Sequence, residues 1–234
     1  MDRPEIPDPI RQRFRSTDEC KPVDGGRRIL ITSSGGGVAL VERETGKAVF
    51  WASVRNAHSA EILPGNRVVV AGSYGEDGNR LVLFDLAVPE KPLWSGELYG
   101  AHGAVWDGQL WALGEKELRL YDREVDGLAL RRQWELPDPG GHDLRAVPGT
   151  CRLVVTTGKR VWLFDRERQA FEPHPDLGDL AGVKGVDIHP ATGQVAYVKA
   201  EESWWAYRVL FLDPGGELPL PGRRLYKARW MITK

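Results

Sequence analysis

Three of the five histidines in this 234-residue chain, His58, His102 and His142, stand at the openings of short strands, in segments 56–61, 100–105 and 140–145. Each segment is followed by a turn, an apolar run and a further strand that ends in an aromatic residue and an acid. The three histidines therefore share one position in a repeating unit. Imidazoles that converge on an axis from consecutive units have the donor type and number to hold a divalent transition metal, with coordination positions left for water or substrate. Lys184 and Lys227 are expected at the same position of two further units. Their ammonium groups suit a carboxylate or phosphate, so the rim can bind a small anionic molecule instead of a metal ion or beside one.

The elements that must position these residues repeat at about 40 residues, the length of a propeller blade. Third strands of the repeat read at 38–42, 81–85, 118–122, 161–165 and 209–213, the last four closing on Asp85, Asp122, Asp165 and Asp213. Second strands read at 28–32, 67–71, 109–113, 152–156 and 194–198, rich in Val, Leu and Ile and so suited to buried strands. Turns such as Pro64-Gly65-Asn66 and Asp107-Gly108 supply the hairpin chemistry between strands. Four innermost strands begin at His58, His102, His142 and Lys184, and the fifth is expected at 227–232. The fold class follows: an all-β, five-bladed β-propeller closed by a C-terminal strand that pairs into the first blade. Residues 1–26, with Pro4, Pro7 and Pro9 and no sustained period, read as an N-terminal arm, and 27–234 as the propeller.

Strands alternate in direction, so the innermost starts and the loops between second and third strands share one end of the ring. That end is where function is expected. Its loops and the closing strand bring Ser34, Tyr74, Trp204 and Arg229 as substrate-binding candidates. Glu202 is the candidate acid–base carboxylate, with Lys184 and Lys227 as its catalytic companions. The acids ending the third strands read as turn formers. Glu61, Arg145 and Asp187 read as partners of neighbouring blades, His189 as a turn residue, and His174, between two prolines, as an exposed loop residue. Gly35-Gly36-Gly37 is no phosphate loop, because neither a helix nor a Lys-Ser or Lys-Thr pair follows it.

Composition narrows the partners. A net charge of −1 with both signs interspersed gives no basic face, so nucleic acid is not expected. No apolar run approaches the roughly 20 residues of a spanning helix, and no signal peptide is read at the N-terminus, so no membrane partner and a cytoplasmic location are expected. Cys20 and Cys151 are too sparse for a disulfide scaffold and read as free thiols.

The phrases Ser34-Gly35-Gly36-Gly37-Val38-Ala39-Leu40, His58-Ser59-Ala60-Glu61, His102-Gly103-Ala104-Val105-Trp106-Asp107, Gly140-Gly141-His142-Asp143-Leu144 and Tyr226-Lys227-Ala228-Arg229-Trp230 together resemble a family of bacterial propeller proteins catalogued as a domain of unknown function. The resemblance implies the propeller fold and brings no established activity. The three-histidine centre is similar to the metal centres of oligogalacturonate lyases and, more distantly, to the four-histidine iron centre of carotenoid oxygenases. WD-type propellers use a Gly-His pair near this point to hold a turn, which Gly141-His142 fits better than Ala57-His58 or Ala101-His102. The leading expectation is a metal-dependent lyase or hydrolase for a small anionic substrate, with His58, His102 and His142 as metal ligands. The alternative is a noncatalytic ligand-binding or protein-interaction propeller.

Overall fold

Runs of Val, Leu and Ile between Gly-, Asn- and Asp-bearing turns form twenty strands in the computed structural model, which describes residues 6–232. They make five sheets of four antiparallel strands. Blade one is β1 (Thr17–Val23), β2 (Arg28–Ser33), β3 (Gly37–Glu42) and β4 (Ala48–Ser53). Blade two is β5 (Ala57–Leu63), β6 (Arg67–Gly72), β7 (Arg80–Asp85) and β8 (Pro92–Glu97). Blade three is β9 (Gly103–Trp106), β10 (Leu110–Leu113), β11 (Glu117–Arg123) and β12 (Leu128–Glu135). Blade four is β13 (Asp143–Ala146), β14 (Arg152–Thr156), β15 (Val161–Asp165) and β16 (Ala170–Pro173). Blade five is β17 (Val183–Ile188), β18 (Val195–Lys199), β19 (Arg208–Leu212) and β20 (Gly216–Pro219). The five-bladed all-β propeller read from the repeat is the fold.

Blades pack face to face, so the second strands of blades two to four are buried on both faces and read as continuous apolar runs, while β18 and β19 of blade five are half-buried. Leu30, Leu40 and Phe50 of blade one meet Val68, Val70 and Phe84 of blade two. Equivalent clusters join blades two and three, three and four, and four and five. Between blade five and blade one lies the segment 226–232. Its Trp230 ring packs 5.8 Å from Phe211 and 5.2 Å from His189, and Trp230 N donates to Asp187 Oδ2 at 2.7 Å. At the segment's other flank, a Cβ placed on Gly26 would lie 2.5 Å from the Ile232 carbonyl oxygen.

The expected C-terminal closing strand does not form. Residues 227–232 pair with no strand, and the innermost strand of blade one is β1, which lies in the stretch read as an arm and pairs with β2 from Thr17↔Ser33 to Val23↔Arg28. Chain order alone thus builds every blade. The physical reason is the composition of β1, Thr-Asp-Glu-Cys-Lys-Pro-Val: its inward residues Glu19 and Lys21 are buried against charged partners, so no apolar alternation marks it as a strand. Before it come a four-residue helix, Asp8–Arg11, and the turn Gln12–Phe14. Pro4, named in the arm, lies outside the described residues.

Candidate functional site

The innermost strands share one irregularity. In β1, β5 and β17 the register shifts across Asp18, His58 and Lys184, each a bulged residue between two paired ones. His102 and His142 stand one residue before β9 and β13, their N–H groups bonding to Leu113 O and Thr156 O at 2.9 Å. Five equivalent positions thus carry Asp18, His58, His102, His142 and Lys184. A bulge re-aims its side chain, here toward the channel. The fifth member is Asp18, where Lys227 was expected, because β1 and not 227–232 completes blade one.

The three imidazoles do meet. Ring centres of His58 and His102 are 4.3 Å apart, and those of His102 and His142 are 5.5 Å apart. Tyr226, unrecognised in the sequence, closes the group at 5.7 Å from His58 and 6.4 Å from His142. His58 Nδ1 lies 3.0 Å from Asn56 O and His102 Nδ1 lies 2.8 Å from Gly100 O, with Ser73 Oγ 3.1 Å away. A carbonyl only accepts, so both rings carry their proton on Nδ1. Lys184 Nζ donates to His142 Nε2 at 2.8 Å, and Tyr226 Oη lies 3.3 Å from His142 Nδ1. His58 Nε2 is 3.7 Å from Asp18 Oδ1, while Asp18 Oδ2 accepts the Ser34 N–H.

Burial sets the charge states. It lowers His58 to about 4 and, with Lys184 adjacent, His142 to about 3. His102 falls well below its ordinary value through burial and then its two histidine neighbours. All three are neutral at pH 7. Burial pushes Asp18 up to about 6 against its hydrogen bond from Ser34, and lowers Lys184.

Beneath this ring the channel is filled by a charged plug. Lys227 Nζ reaches His58 O at 3.4 Å, His102 O at 3.2 Å and Asp143 Oδ1 at 3.2 Å, with its side chain fully enclosed. Arg229 joins Glu19 to Asp143 and reaches Val186 O at 3.1 Å. Burial opposes ionisation of Glu19, but Lys21 and Arg229 hold it well below the ordinary range. Arg229 and Lys227 likewise lower Asp143 against its burial. Lys21 Nζ bonds to Ala60 O at 2.8 Å, Ala104 O at 2.9 Å and Glu61 Oε2 at 3.1 Å, and Arg145 pairs with Asp187 at 2.7 Å. Glu61, Arg145 and Asp187 thus serve neighbouring blades, as their positions suggested.

The remaining candidates divide. Tyr74 stands at the ring, 5.5 Å from His102, half exposed and bonded to Glu115. Ser34 holds Asp18 through its backbone and bonds Ser16 through its hydroxyl. Lys227 and Arg229 lie in the plug and not at the surface of the mouth. Glu202 is exposed and bonded by Tyr207, and the Trp204 ring meets Trp205 edge-on at 5.2 Å within its own loop; the contacts of both lie away from the ring. His189 Nδ1 accepts from Ala191 N and Thr192 N as a turn residue. His174 corrects its expectation of exposure: it is buried and its Nδ1 accepts from Asp176 N and Leu177 N at 3.2 Å.

The donor set does not suit a metal. Among the described residues no group of three or more His, Cys, Asp or Glu is placed to hold an ion. The lone pair of His142 Nε2 is taken by an ammonium at 2.8 Å, which also sets a positive charge where a cation would bind.

Residues 4–113, just under half of the chain, match a family described as "Family of unknown function (DUF6528)". No curated protein matches the sequence. Solved structures share the fold. One, described as "Structure of U3-55K", has a TM-score of 0.64 at 9% identity, covering 90% of this chain and 68% of that one. Another, "Crystal structure of RRP9 WD40 repeats", has a TM-score of 0.65 at 9% identity with the same coverage. At that identity the likeness concerns the propeller architecture alone.

Proposed function

We propose that the channel mouth binds a small anion on Lys184, without a resident metal. One observation carries this reading: Lys184 is 9% exposed, and its sole hydrogen-bond partner among the described residues is the neutral His142. A buried ammonium ordinarily finds a carboxylate. Every other buried cation of the channel has one: Lys21 has Glu61, while Lys227 and Arg229 have Asp143. Lys184 has two N–H groups to offer a ligand, and the Tyr226 hydroxyl lies on the same imidazole. This is the ligand-binding alternative read from the sequence, narrowed to an anion. The metal-dependent lyase or hydrolase would require His142 to exchange an ammonium for an ion.

Calorimetric titration of the full chain with mono- and dicarboxylates and inorganic phosphate tests the proposal, alongside Lys184→Met checked for folding by circular dichroism. Saturable binding in the parent, weakened at least about tenfold in the variant, is expected. Absence of saturable binding, or binding indifferent to Lys184→Met, overturns it. So does near-stoichiometric metal by elemental analysis of untagged protein if stripping that metal abolishes binding.

A further inference from the structure

The mouth is sorted into a donor wall and an acceptor wall, and this sorting specifies the ligand more closely. On one wall, an ammonium can only donate, so His142 Nε2 accepts from Lys184 and the imidazole proton sits on Nδ1. That proton points the His142–Tyr226 hydrogen bond toward Tyr226 Oη at 3.3 Å, so the phenol accepts and its own O–H remains to donate. Lys184 and Tyr226 therefore both present donors, on the two different ring nitrogens of His142, and the charged one of them, Lys184, suits a carboxylate.

On the other wall, His58 and His102 spend their N–H groups on Asn56 O and Gly100 O, which leaves a lone pair at each Nε2. Asp18 Oδ1 faces His58 Nε2 at 3.7 Å, two acceptors with no donor between them among the described residues. This wall calls for donors. An ammonium is the poorer choice, because two of the three acceptors are neutral imidazoles and the buried charge next to them is Lys227, bonded to the carbonyls of both. Hydroxyl groups donate without carrying charge. Beside them, the Tyr74 ring at 5.5 Å from His102 offers a half-exposed apolar face to the C–H groups of a carbon chain.

We infer that the mouth takes a hydroxylated carboxylate, its carboxylate held by Lys184, a further oxygen accepting from Tyr226, and its hydroxyls donating to His58, His102 and Asp18. This rests on the anion reading above, and its test separates the two. Calorimetry compares gluconate, galactonate and mannonate with hexanoate, six-carbon carboxylates with and without hydroxyls, on the parent, Lys184→Met, His58→Phe and Asp18→Asn. At least one aldonate is expected to bind about tenfold or more tighter than hexanoate, with that advantage lost in His58→Phe or Asp18→Asn while hexanoate binding persists. Should either variant fail to fold, the parent's preference between aldonate and hexanoate still decides. Equal binding of aldonates and hexanoate, dependent on Lys184, overturns the hydroxyl inference and leaves the anion site standing. No binding of any of the four overturns the hydroxyl inference, and no binding of dicarboxylates or phosphate either overturns the anion reading with it.

Discussion

Lys227 Nζ lies 3.2 Å from Asp143 Oδ1, two side chains closed to solvent, although Lys227 belongs to no strand and Asp143 opens the innermost strand of blade four. With Arg229, which bonds both Asp143 oxygens and Glu19, it places the segment 226–232 inside the ring. Closure in this propeller is therefore ionic at the axis and aromatic, through Trp230, between blades five and one.

Arg229→Met is expected to lower stability by about 3–5 kcal/mol at pH 7, because it leaves Glu19 and Asp143 buried without their shared guanidinium. Arg229→Lys restores the charge but not the fork that spans two carboxylates, so it should recover only part of the loss. Equilibrium unfolding in guanidinium chloride checks both. A loss within about 0.5 kcal/mol for Arg229→Met would mean that the plug contributes little to closure.

Lys21→Met probes the same channel from blade one. It removes the donor shared by Ala60 O, Ala104 O and Glu61, a strap across blades one, two and three. Two buried carbonyls and a carboxylate would lose a partner, at a cost of about 1–3 kcal/mol per unsatisfied group before relaxation. Loss of protection of the β5 and β9 amides in hydrogen exchange, beyond the global change, is the expected signature.

Stability should also depend on pH through the mouth. Native His58 and His142 titrate near 4 and 3 against 6.5 for an ordinary histidine, and His102 is likewise depressed. Between those values the unfolded chain binds more protons, so the contribution of these histidines is present above about pH 6.5 and is lost as pH falls toward their native values. Asp18 acts in the opposite sense: raised from 3.8 to about 6, it favours the native state below 3.8 and loses that effect as pH rises through 6. Three imidazoles outweigh one carboxyl, so stability should fall on acidification below 6.5. His58→Phe should reduce that slope by about 1.4 kcal/mol per pH unit between 6 and 4.5, and Asp18→Asn should steepen it between 6 and 4. Denaturation at stepped pH gives the slopes; an unchanged slope in His58→Phe would show a native imidazole of ordinary basicity.

The repeat was legible because strands such as β6 and β7 are buried on both faces, so that Val68-Val69-Val70 and Leu81-Val82-Leu83-Phe84 carry their fold in their composition. The shared position of His58, His102, His142 and Lys184 was legible for the same reason, since each stands at the head of an innermost strand whose following strands align. What stayed hidden depends on charge compensation. Asp18, Glu19 and Lys21 lie in the stretch read as an arm, and only the fold brings Arg229, Lys227 and Glu61 to them from distant parts of the chain. Tyr226 likewise stood beside the conspicuous Lys227, and only the fold shows that the phenol faces the imidazoles while the lysine passes beneath them. The pairing of Lys184 with His142, which displaces the metal reading, is a contact between blades that spacing alone does not reveal.

The plug also constrains the small residues at its level. Gly185 follows Lys184, and a Cβ there would sit 3.1 Å from Lys227 Cγ and 3.2 Å from its Cα and Cβ, so the lysine descends along the axis close against blade five at a point that carries no side chain. Gly185→Ala should cost about 1–3 kcal/mol by crowding a packed position. Because the crowded atoms belong to the closing segment, the variant should also loosen residues 226–232 selectively, seen as faster limited proteolysis there before the blades unfold. Gly103, two blades away, separates the two effects: the nearest atoms to a Cβ there would be Leu144 Cβ at 2.8 Å and Leu113 Cβ at 3.2 Å. Gly103→Ala should therefore destabilise the ring comparably while leaving cleavage of 226–232 tied to global unfolding. If both variants release the segment early, Gly185 has no special part in admitting Lys227.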